Sequence, residues 1–519
     1  MKKFFIPVLF LIFTLWQLNS LFHPGWPTSH DGIYHLIRIR EYFYELKQGQ
    51  FPVRWTDRLD DGYGLPLFNY IYPGPYLIAT PLVALGLSEV NTYKLILLLS
   101  YFFGTFGFYL LFHRRNQLLA LIAGLLYGLT PYYFLDIFIR GALGEVVALA
   151  IIPWIFYAFS HQKKLFSAIT FSLLLISHNL LGFFFIPVLL VYLYSYQLLN
   201  RRSLISLLLA LGLSSFFLLP AIIEKNLITS GFKNSYTFNY SDHFLFPRQL
   251  LYGKWDYWYS LPGPNDGLSF QLGFTNILIC FISLFSLIFT KNKKILLLLI
   301  LFFISLFFTL DYSRFIWQWF KPMQIIQFPW RFLFIPVAIF PLLFFESFPK
   351  TSPTPNLFAV FLFLLALFNT RNYRRPLIFI SLAELQSRFN LNYPKTTTAV
   401  REEISPRWVT REKYFGGQLI NSQTNEKISD ISNGSIFSVS QKTSVVIRKN
   451  YFPGWQLTKL PLCKTINYSP DFDGNISAVL ENGRYRLQYT GTLIEKFADL
   501  ISLLSLIFLC YSIIKSCQK

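Results

Sequence analysis

The chain has 519 residues, of which 53% are hydrophobic and 14% are charged, and its mean hydropathy is +0.43. Soluble domains carry about 25% charged residues, so this composition indicates an integral membrane protein. It excludes a disordered, fibrous or disulfide-rich secreted chain. Lysine and arginine exceed aspartate and glutamate by 46 − 26 = 20, which in a membrane protein is interpreted first as topology. No basic block or nucleic-acid motif is present, so nucleic acid is not an expected partner.

Twelve apolar segments are interpreted as membrane crossings. The first follows Lys2 and Lys3 without a small-residue cleavage site, which predicts a retained signal anchor. The segments are 1–22, 92–112, 117–135, 142–160, 165–181, 182–199, 203–222, 271–290, 295–310, 331–347, 356–370 and 494–514. Basic joints, including Arg114-Arg115 and Lys163-Lys164, alternate with longer polar segments. The positive-inside rule therefore predicts a multi-pass protein of the cell membrane with both termini in the cytoplasm and the long segments 23–91, 223–270, 311–330 and 371–493 outside.

The first outer loop, residues 23–91, is predicted to hold two interfacial helices. After Gly32, apolar residues recur every three or four positions while Arg38, Glu41 and Glu45 occupy the other face, which predicts an amphipathic helix lying on the outer leaflet. The apolar run 76–87 is short and contains Pro81. A crossing there would invert every later basic joint, so we expect it to lie in the interface or to dip in and return.

Residues 371–493 differ in composition from the rest of the chain. Alternating residues from Arg484 to Tyr489 and the runs 445–447 and 476–480 are typical of strands, and Asp473-Gly474 and Asn482-Gly483 are turn signals. The sequence therefore predicts a small extracytoplasmic β-sandwich-like domain. The resulting organisation is a transmembrane domain over 1–370, a β-rich domain over 371–493, and a last transmembrane helix with a cytoplasmic tail over 494–519.

His30 and Asp31 stand at the start of the amphipathic helix, directly after the first crossing. A carboxylate there can take a proton from an acceptor hydroxyl at the membrane surface. The alternative is helix capping, because Thr28 and Asp31 have capping-box spacing. Asp31 and His35 have the spacing of two metal ligands, but two ligands do not make a site. Nearby, Asp57, Asp60 and Asp61 fit either a metal or proton site or, in preference, a solvated turn.

Arg140 and Glu145 lie at the third outer joint, and Glu145 falls one turn inside the next helix. A charge at this depth is costly unless it is paired or functional, and an arginine can grip a phosphate with two donors. The alternative is a structural ion pair between helices. The remaining polar residues predicted at the outer ends of helices are His178, Asn179, Glu224 and Arg331. Each of these residues alone is typical of an interhelical hydrogen bond or a headgroup anchor. They indicate a site because all of them are predicted at the same depth, the outer ends of the helices.

Several short motifs resemble a known family. His30-Asp31 stands where membrane glycosyltransferases of the GT-C superfamily carry an acidic motif, in the first outer loop after the first crossing. Residues 140–145, 177–179, 327–331 and 451–455 resemble bacterial YfhO-type proteins, also named 6-pyruvoyl-tetrahydropterin-synthase-related membrane proteins. The resemblance spans nearly the whole chain and implies a GT-C-like bundle of about twelve crossings with interfacial helices and an outer C-terminal domain.

The resemblance also implies an activity. A sugar would pass, with inversion, from a polyprenyl-phosphate-linked donor among the membrane lipids to an extracytoplasmic acceptor glycan, lipid or protein of the cell envelope. Asp31 would act as general base, with His30 and Glu145 also in the catalytic site. Arg140 or Arg331 would hold the phosphate, and His178, Asn179 and Glu224 would complete the substrate site. No cofactor is required, although a divalent metal is compatible. The alternatives are a lipid-linked glycan flippase and a non-catalytic envelope assembly protein.

Overall fold

The computed structural model describes residues 2–229, 239–348, 354–376, 378–388, 404–410 and 416–517. Most of the chain before residue 370 is helical, and most of residues 416–489 form β-strands. The main helices are Lys2–Gln17, Gly32–Lys47, Gly74–Ala84, Glu89–Phe112, Gln117–Gly128, Leu143–Ser160, Lys164–Ser177, Asn179–Ser195, Arg201–Ile223, Phe274–Thr290, Lys293–Thr309, Phe334–Ser347, Thr354–Asn369 and Leu493–Cys517.

Helices of full crossing length are fewer, among the described residues, than the twelve crossings that the sequence predicts. Within the described residues, five helical segments are long and apolar enough to cross a membrane: Glu89–Phe112, Leu143–Ser160, Arg201–Ile223, Pro329–Ser347 and Leu493–Lys515. A sixth is the pair Gln117–Gly128 and Pro131–Arg140, bent by 47° at Thr130-Pro131, where proline disfavours a helical residue before it. Other predicted crossings are apolar helices of 10–17 residues. At ~1.5 Å per residue these are short for a hydrocarbon core of ~30 Å, so twelve crossings are not confirmed.

The predicted basic joints meet at one end of the bundle. Arg115 forms a 3.0 Å ion pair with Glu346, and Glu346 also accepts a hydrogen bond from the Tyr196 hydroxyl at 3.1 Å. Lys294 lies over the Tyr196 ring. Several helices begin at this end with capping asparagines, whose side chains accept from backbone N–H groups of the first turn; these are Asn116, Asn200 and Asn292. Of the basic residues grouped with these joints, Lys350 and Lys519 lie outside the described residues.

The two predicted interfacial helices pack together. Tyr76, at the start of Gly74–Ala84, contacts His35 with its hydroxyl at 2.9 Å, and Glu89 pairs with Arg40 at 2.8 Å. Both ends of the segment 74–89 therefore stay beside neighbouring turns of Gly32–Lys47, as expected of a helix that does not cross. The polar face of Gly32–Lys47 was predicted to face water, and this is wrong: Glu41 and Glu45 are fully buried and Arg38 nearly so. Burial is tolerated because Glu41 pairs with Arg58 and Glu45 accepts the Asp57 N–H.

The β-rich region has two antiparallel sheets. One has the strand order Lys464–Ile466, Trp455–Leu460, Gly483–Tyr489, Ile436–Val439. The other has the order Ser469–Pro470, Asn475–Leu480, Thr443–Asn450, Gln418–Asn421, Lys427–Asp430. Buried residues of both sheets form one hydrophobic cluster. All three predicted strands are present, but Asn482-Gly483 connects the two sheets rather than closing a hairpin within one.

The first outer loop is anchored in this β-rich region. Trp55 is fully buried in the hydrophobic cluster of the sheets, with its ring 4.9 Å from Trp455 and 5.2 Å from Tyr489. Lys449 donates to the Asp57 carboxylate at 2.8 Å, and Asn450 donates to Asp60 at 2.8 Å. The predicted turn is present, but its solvation is wrong for Asp57 and Asp60, because their carboxylates accept from buried donors of the β-rich region, whereas Asp61 is only half-buried.

Candidate functional site

Backbone hydrogen bonds join the segment 28–31, which contains His30 and Asp31, to the segment 139–141, which contains Arg140. The backbone N–H of His30 donates to the Ile139 carbonyl at 3.0 Å, and that of Asp31 donates to the Arg140 carbonyl at 2.7 Å. Gly141 makes this approach feasible: its φ is +64°, and a β-carbon there would lie 2.2 Å from the Ser29 hydroxyl oxygen. The start of the amphipathic helix is thus fixed against the end of the π-helical turn Leu135–Arg140.

Arg140 is held by two carboxylates. Its guanidinium donates to both oxygens of Glu145 at 2.8 and 2.7 Å and to Asp136 at 2.5 Å, and all three residues are buried. The same group lies 4.7 Å over the Trp330 ring. The structural ion pair considered for Arg140 and Glu145 is therefore present, and Arg140 has little donor capacity left for a ligand.

Glu145 is the centre of a wider polar cluster. It also accepts a hydrogen bond from the Tyr132 hydroxyl at 3.0 Å. His178 Nε2 and Arg331 Nε approach its Oε1 at 3.7 and 3.8 Å, beyond hydrogen-bond distance. Five of the predicted site residues therefore lie in one group of neighbours: Asp31, Arg140, Glu145, His178 and Arg331.

His178 is oriented by two contacts. Its Nδ1 accepts the backbone N–H of Leu181 at 3.2 Å, which caps the helix Asn179–Ser195, and its ring stacks on Tyr72 at 4.9 Å. An accepting Nδ1 leaves the proton on Nε2, the atom that faces Glu145. The absence of a side chain at Gly144 makes room for the Tyr72 ring, since a β-carbon there would lie 2.4 Å from it.

Asp31 does not cap its helix. It occupies the N-cap position of Gly32–Lys47 but makes no capping hydrogen bond with its side chain, so the capping interpretation is wrong. Burial raises the pKa of the Asp31 carboxyl above its usual range, and the positive charges of Arg140, Arg38 and Arg331 oppose that shift. Asp31 is thus a half-buried carboxylate that faces three guanidinium groups.

His30 points to a different part of the molecule. Its ring stacks on Tyr259 at 5.0 Å and meets the edge of Tyr257 at 4.9 Å. Burial and the charge of Arg140 lower the pKa of His30 to about 4, so the ring is neutral at pH 7.

Two predicted site residues lie elsewhere. The Asn179 side chain accepts the N–H of Leu180 at 3.0 Å, a local contact at a helix start. Glu224 lies beside a second charged cluster, in which Arg54 pairs with Glu495 at 3.6 Å and with Asp499 at 2.5 Å. Four further residues of the site were not predicted from the sequence: Asp136, Tyr132, Tyr72 and Trp330. Asp136 carried a usable signal, its i,i+4 spacing to Arg140.

The spacing of Asp31 and His35 was considered for metal binding, but His35 has a different partner. His35 Nδ1 contacts the Tyr76 hydroxyl at 2.9 Å. In the described part of the chain, no three histidine, cysteine or acidic side chains are arranged to hold a metal ion.

Comparison with solved structures gives low-identity likenesses. The arabinofuranosyltransferase AftD from Mycobacteria aligns with 12% identity and a TM-score of 0.45, over 70% of this chain and 27% of its own. The oligosaccharyltransferase of Archaeoglobus fulgidus aligns with 13% identity and a TM-score of 0.46, over 79% and 61%. The same archaeal enzyme, AglB, with an inhibitory peptide and a dolichol-phosphate, aligns with 14% identity and a TM-score of 0.43, over 80% and 62%. The chain spans less than two thirds of each, and likenesses of this size assign no activity.

The sequence comparisons differ in outcome. No curated protein matches the chain. A family model described as the 6-pyruvoyl-tetrahydropterin synthase related domain, a membrane protein, matches residues 68–368, which is more than half of the chain. The match includes Arg140, Glu145, His178 and Arg331, four residues of the cluster described above. The chain therefore belongs to the family of 6-pyruvoyl-tetrahydropterin synthase related membrane proteins.

Proposed function

We propose that this protein is a membrane glycosyltransferase of GT-C type. It transfers a sugar, with inversion, from a polyprenyl-phosphate carrier to a hydroxyl of an extracytoplasmic acceptor. The observation that carries the proposal is the environment of Asp31: a half-buried carboxylate with a raised pKa, fixed through its backbone to Arg140 and surrounded by arginines. A base needs an accessible carboxylate, and a departing phosphate needs positive charge nearby.

The two roles divide between different residues. Asp31 takes the proton of the acceptor hydroxyl as that oxygen attacks the anomeric carbon. The carrier phosphate leaves with the bonding electrons, and Arg331 stabilises its charge. We assign this role to Arg331 rather than Arg140 because Arg140 is already held by Asp136 and Glu145, whereas Arg331 approaches a carboxylate oxygen, within the described part of the chain, only to 3.8 Å. Asp136 and Glu145 act as positioning residues for Arg140, whose carbonyl holds Asp31.

The orientation and the span count belong to the same proposal. The end of the bundle that carries Asp31 faces the outside, together with a sandwich formed by the two sheets, and both termini face the cytoplasm. The short apolar helices complete the predicted set of crossings. Contacts at the opposite end between Arg115, Glu346, Tyr196 and Lys294 support this arrangement, since they gather the basic joints at one level.

The test is turnover by the full-length protein in nanodiscs. Polyprenyl-phosphate sugars of several kinds are supplied with a cell-envelope extract as acceptor, and released polyprenyl phosphate is measured. We expect Asp31→Asn to lower turnover by ~10²–10⁴-fold, the range for a general base. The matched control is Asp61→Asn, the same change in the same loop. Turnover that is unchanged in Asp31→Asn contradicts the proposal.

A further inference from the structure

The segment 252–271 covers the candidate site, and neither its sequence nor the family assignment gives it a role. It has no helix or strand, and it carries six aromatic side chains: Tyr252, Trp255, Tyr257, Trp258, Tyr259 and Phe270. Tyr257 and Tyr259 contact His30, and Phe270 packs on Trp330 with ring centroids 5.1 Å apart. Trp330 in turn lies under Arg140. The segment therefore contacts His30 and Trp330, which are direct neighbours of Asp31 and Arg140.

Contacts at several points hold this segment in place. Ser260 and His243 share a hydrogen bond of 3.0 Å, and the His243 ring packs on Phe328, which lies 4.9 Å from the Arg331 guanidinium. Asp266 accepts from the Gln249 side chain at 2.9 Å and from the Leu261 N–H. The Trp255 ring stacks on Tyr373 at 4.2 Å. The aromatic side chains are therefore presented on a fixed backbone.

Two of these rings are largely exposed beside His30, the residue that precedes Asp31. Tyr259 stacks on His30 with one face and is still 56% exposed, and Trp258 beside it is also 56% exposed. We propose that Trp258 and Tyr259 form a stacking platform for a sugar ring of the acceptor glycan. The C–H groups on one face of a pyranose carry partial positive charge and pack against the negative face of an aromatic ring. This inference rests on the proposed function for its placement of the acceptor beside Asp31, although the binding itself does not require turnover.

A binding experiment tests the platform without any donor lipid. Maltotriose, mannotriose and chitotriose are titrated into full-length protein in nanodiscs, and Kd is obtained by saturation-transfer NMR. We expect at least one trisaccharide to bind, with Kd raised about threefold to tenfold in Trp258→Ala and Tyr259→Ala, the range that one aromatic contact supplies. Tyr259→Phe keeps the ring and should bind like the native protein. The matched control is Trp319→Ala, because Trp319 is 84% exposed and makes no contact with His30.

Other outcomes overturn the platform. They are no binding of any of the three sugars, or equal Kd values in all variants. The alternative is that Trp258 lies in the bilayer, and brominated lipids test it by quenching tryptophan fluorescence. An equal loss of quenching in Trp258→Phe and Trp319→Phe would show a lipid contact and overturn the sugar platform. Saccharide binding that persists in a protein without transferase turnover contradicts the proposed function alone. Loss of the platform with turnover intact contradicts only this inference.

Discussion

The backbone N–H of Asp31 donates a 2.7 Å hydrogen bond to the carbonyl oxygen of Arg140. With the His30 to Ile139 bond, it joins the first outer loop to the third outer joint, and the charged side chains of the site are arranged around this junction. Arg140 thus has two tasks: its carbonyl fixes Asp31, and its guanidinium pairs with Asp136 and Glu145. We infer that Arg140 acts through position and Arg331 through direct contact with a phosphate.

Exchange of the two arginines for lysine separates these tasks. Lysine keeps the charge but loses the planar fork. We expect Arg331→Lys to raise KM for the polyprenyl-phosphate donor about tenfold or more with little change in melting temperature. Arg140→Lys should chiefly lower the melting temperature, because two buried carboxylates lose paired donors. Equal effects on KM in both variants would contradict the division of roles.

Removal of one partner from the buried pair should be costly. Arg140→Met leaves Asp136 and Glu145 buried without a countercharge, and such changes typically cost ~3–5 kcal/mol. The free energy of unfolding in detergent, followed by the helical CD signal, measures this. Lys427→Met is the comparison, because its ion pair with Asp430 is 47% and 79% exposed on the two sides and should contribute under ~1 kcal/mol.

The stability of Asp31 variants tests the missing cap. Because the Asp31 side chain makes no capping hydrogen bond, Asp31→Ala should leave the melting temperature nearly unchanged. A true cap would lose ~1 kcal/mol, and Asn116→Ala provides that reference, since Asn116 accepts the Leu119 N–H at 3.1 Å. A clear loss of stability in Asp31→Ala would restore the capping interpretation.

Trp55 should be required for docking of the β-rich region. Its ring is fully buried between residues of both sheets, so Trp55→Ala should cost ~3–5 kcal/mol at this contact. Limited proteolysis should then cut the chain within residues 404–410 or 490–493 faster than in the native protein. Trp319→Ala, at an 84% exposed position, should leave the cleavage rate unchanged.

The stability that Glu45 gives to the folded protein should decrease as pH rises. Burial and the nearby Asp57 raise the pKa of Glu45 from 4.5 to about 8, so the folded protein keeps a proton that the unfolded chain loses. Stability from this group is complete below pH 4.5 and decreases as pH rises to about 8. Glu45→Gln should therefore flatten the fall of the melting temperature between pH 5 and 8. Glu481→Gln, on the surface, should keep the native slope; a native slope in Glu45→Gln would contradict this assignment.

The sequence alone determined the class of protein and the level of the site. Low charge content and long apolar segments identify a membrane protein because the bilayer excludes unpaired polar groups. Alternating residues such as Tyr485, Leu487 and Tyr489 predicted a strand with one buried face, which is present. Charge alternation and helix length predicted one shared level for Asp31, Arg140, Glu145, His178 and Arg331, and the structure places these five residues in one group of neighbours. These are local patterns, repeated along a short stretch of chain.

Partners and burial were decided by the tertiary structure. Nothing local distinguishes Asp57, which pairs with Lys449, from a solvated aspartate, and nothing local predicts that Trp55 packs in a domain formed almost 400 residues later. Glu41 and Glu45 had the spacing of an exposed face, but the β-rich region and the loop cover them. Likewise, only the fold shows that Arg140 is held by two carboxylates while Asp31 has no capping contact. Contacts between distant segments depend on how the whole chain packs, which local periodicity does not encode.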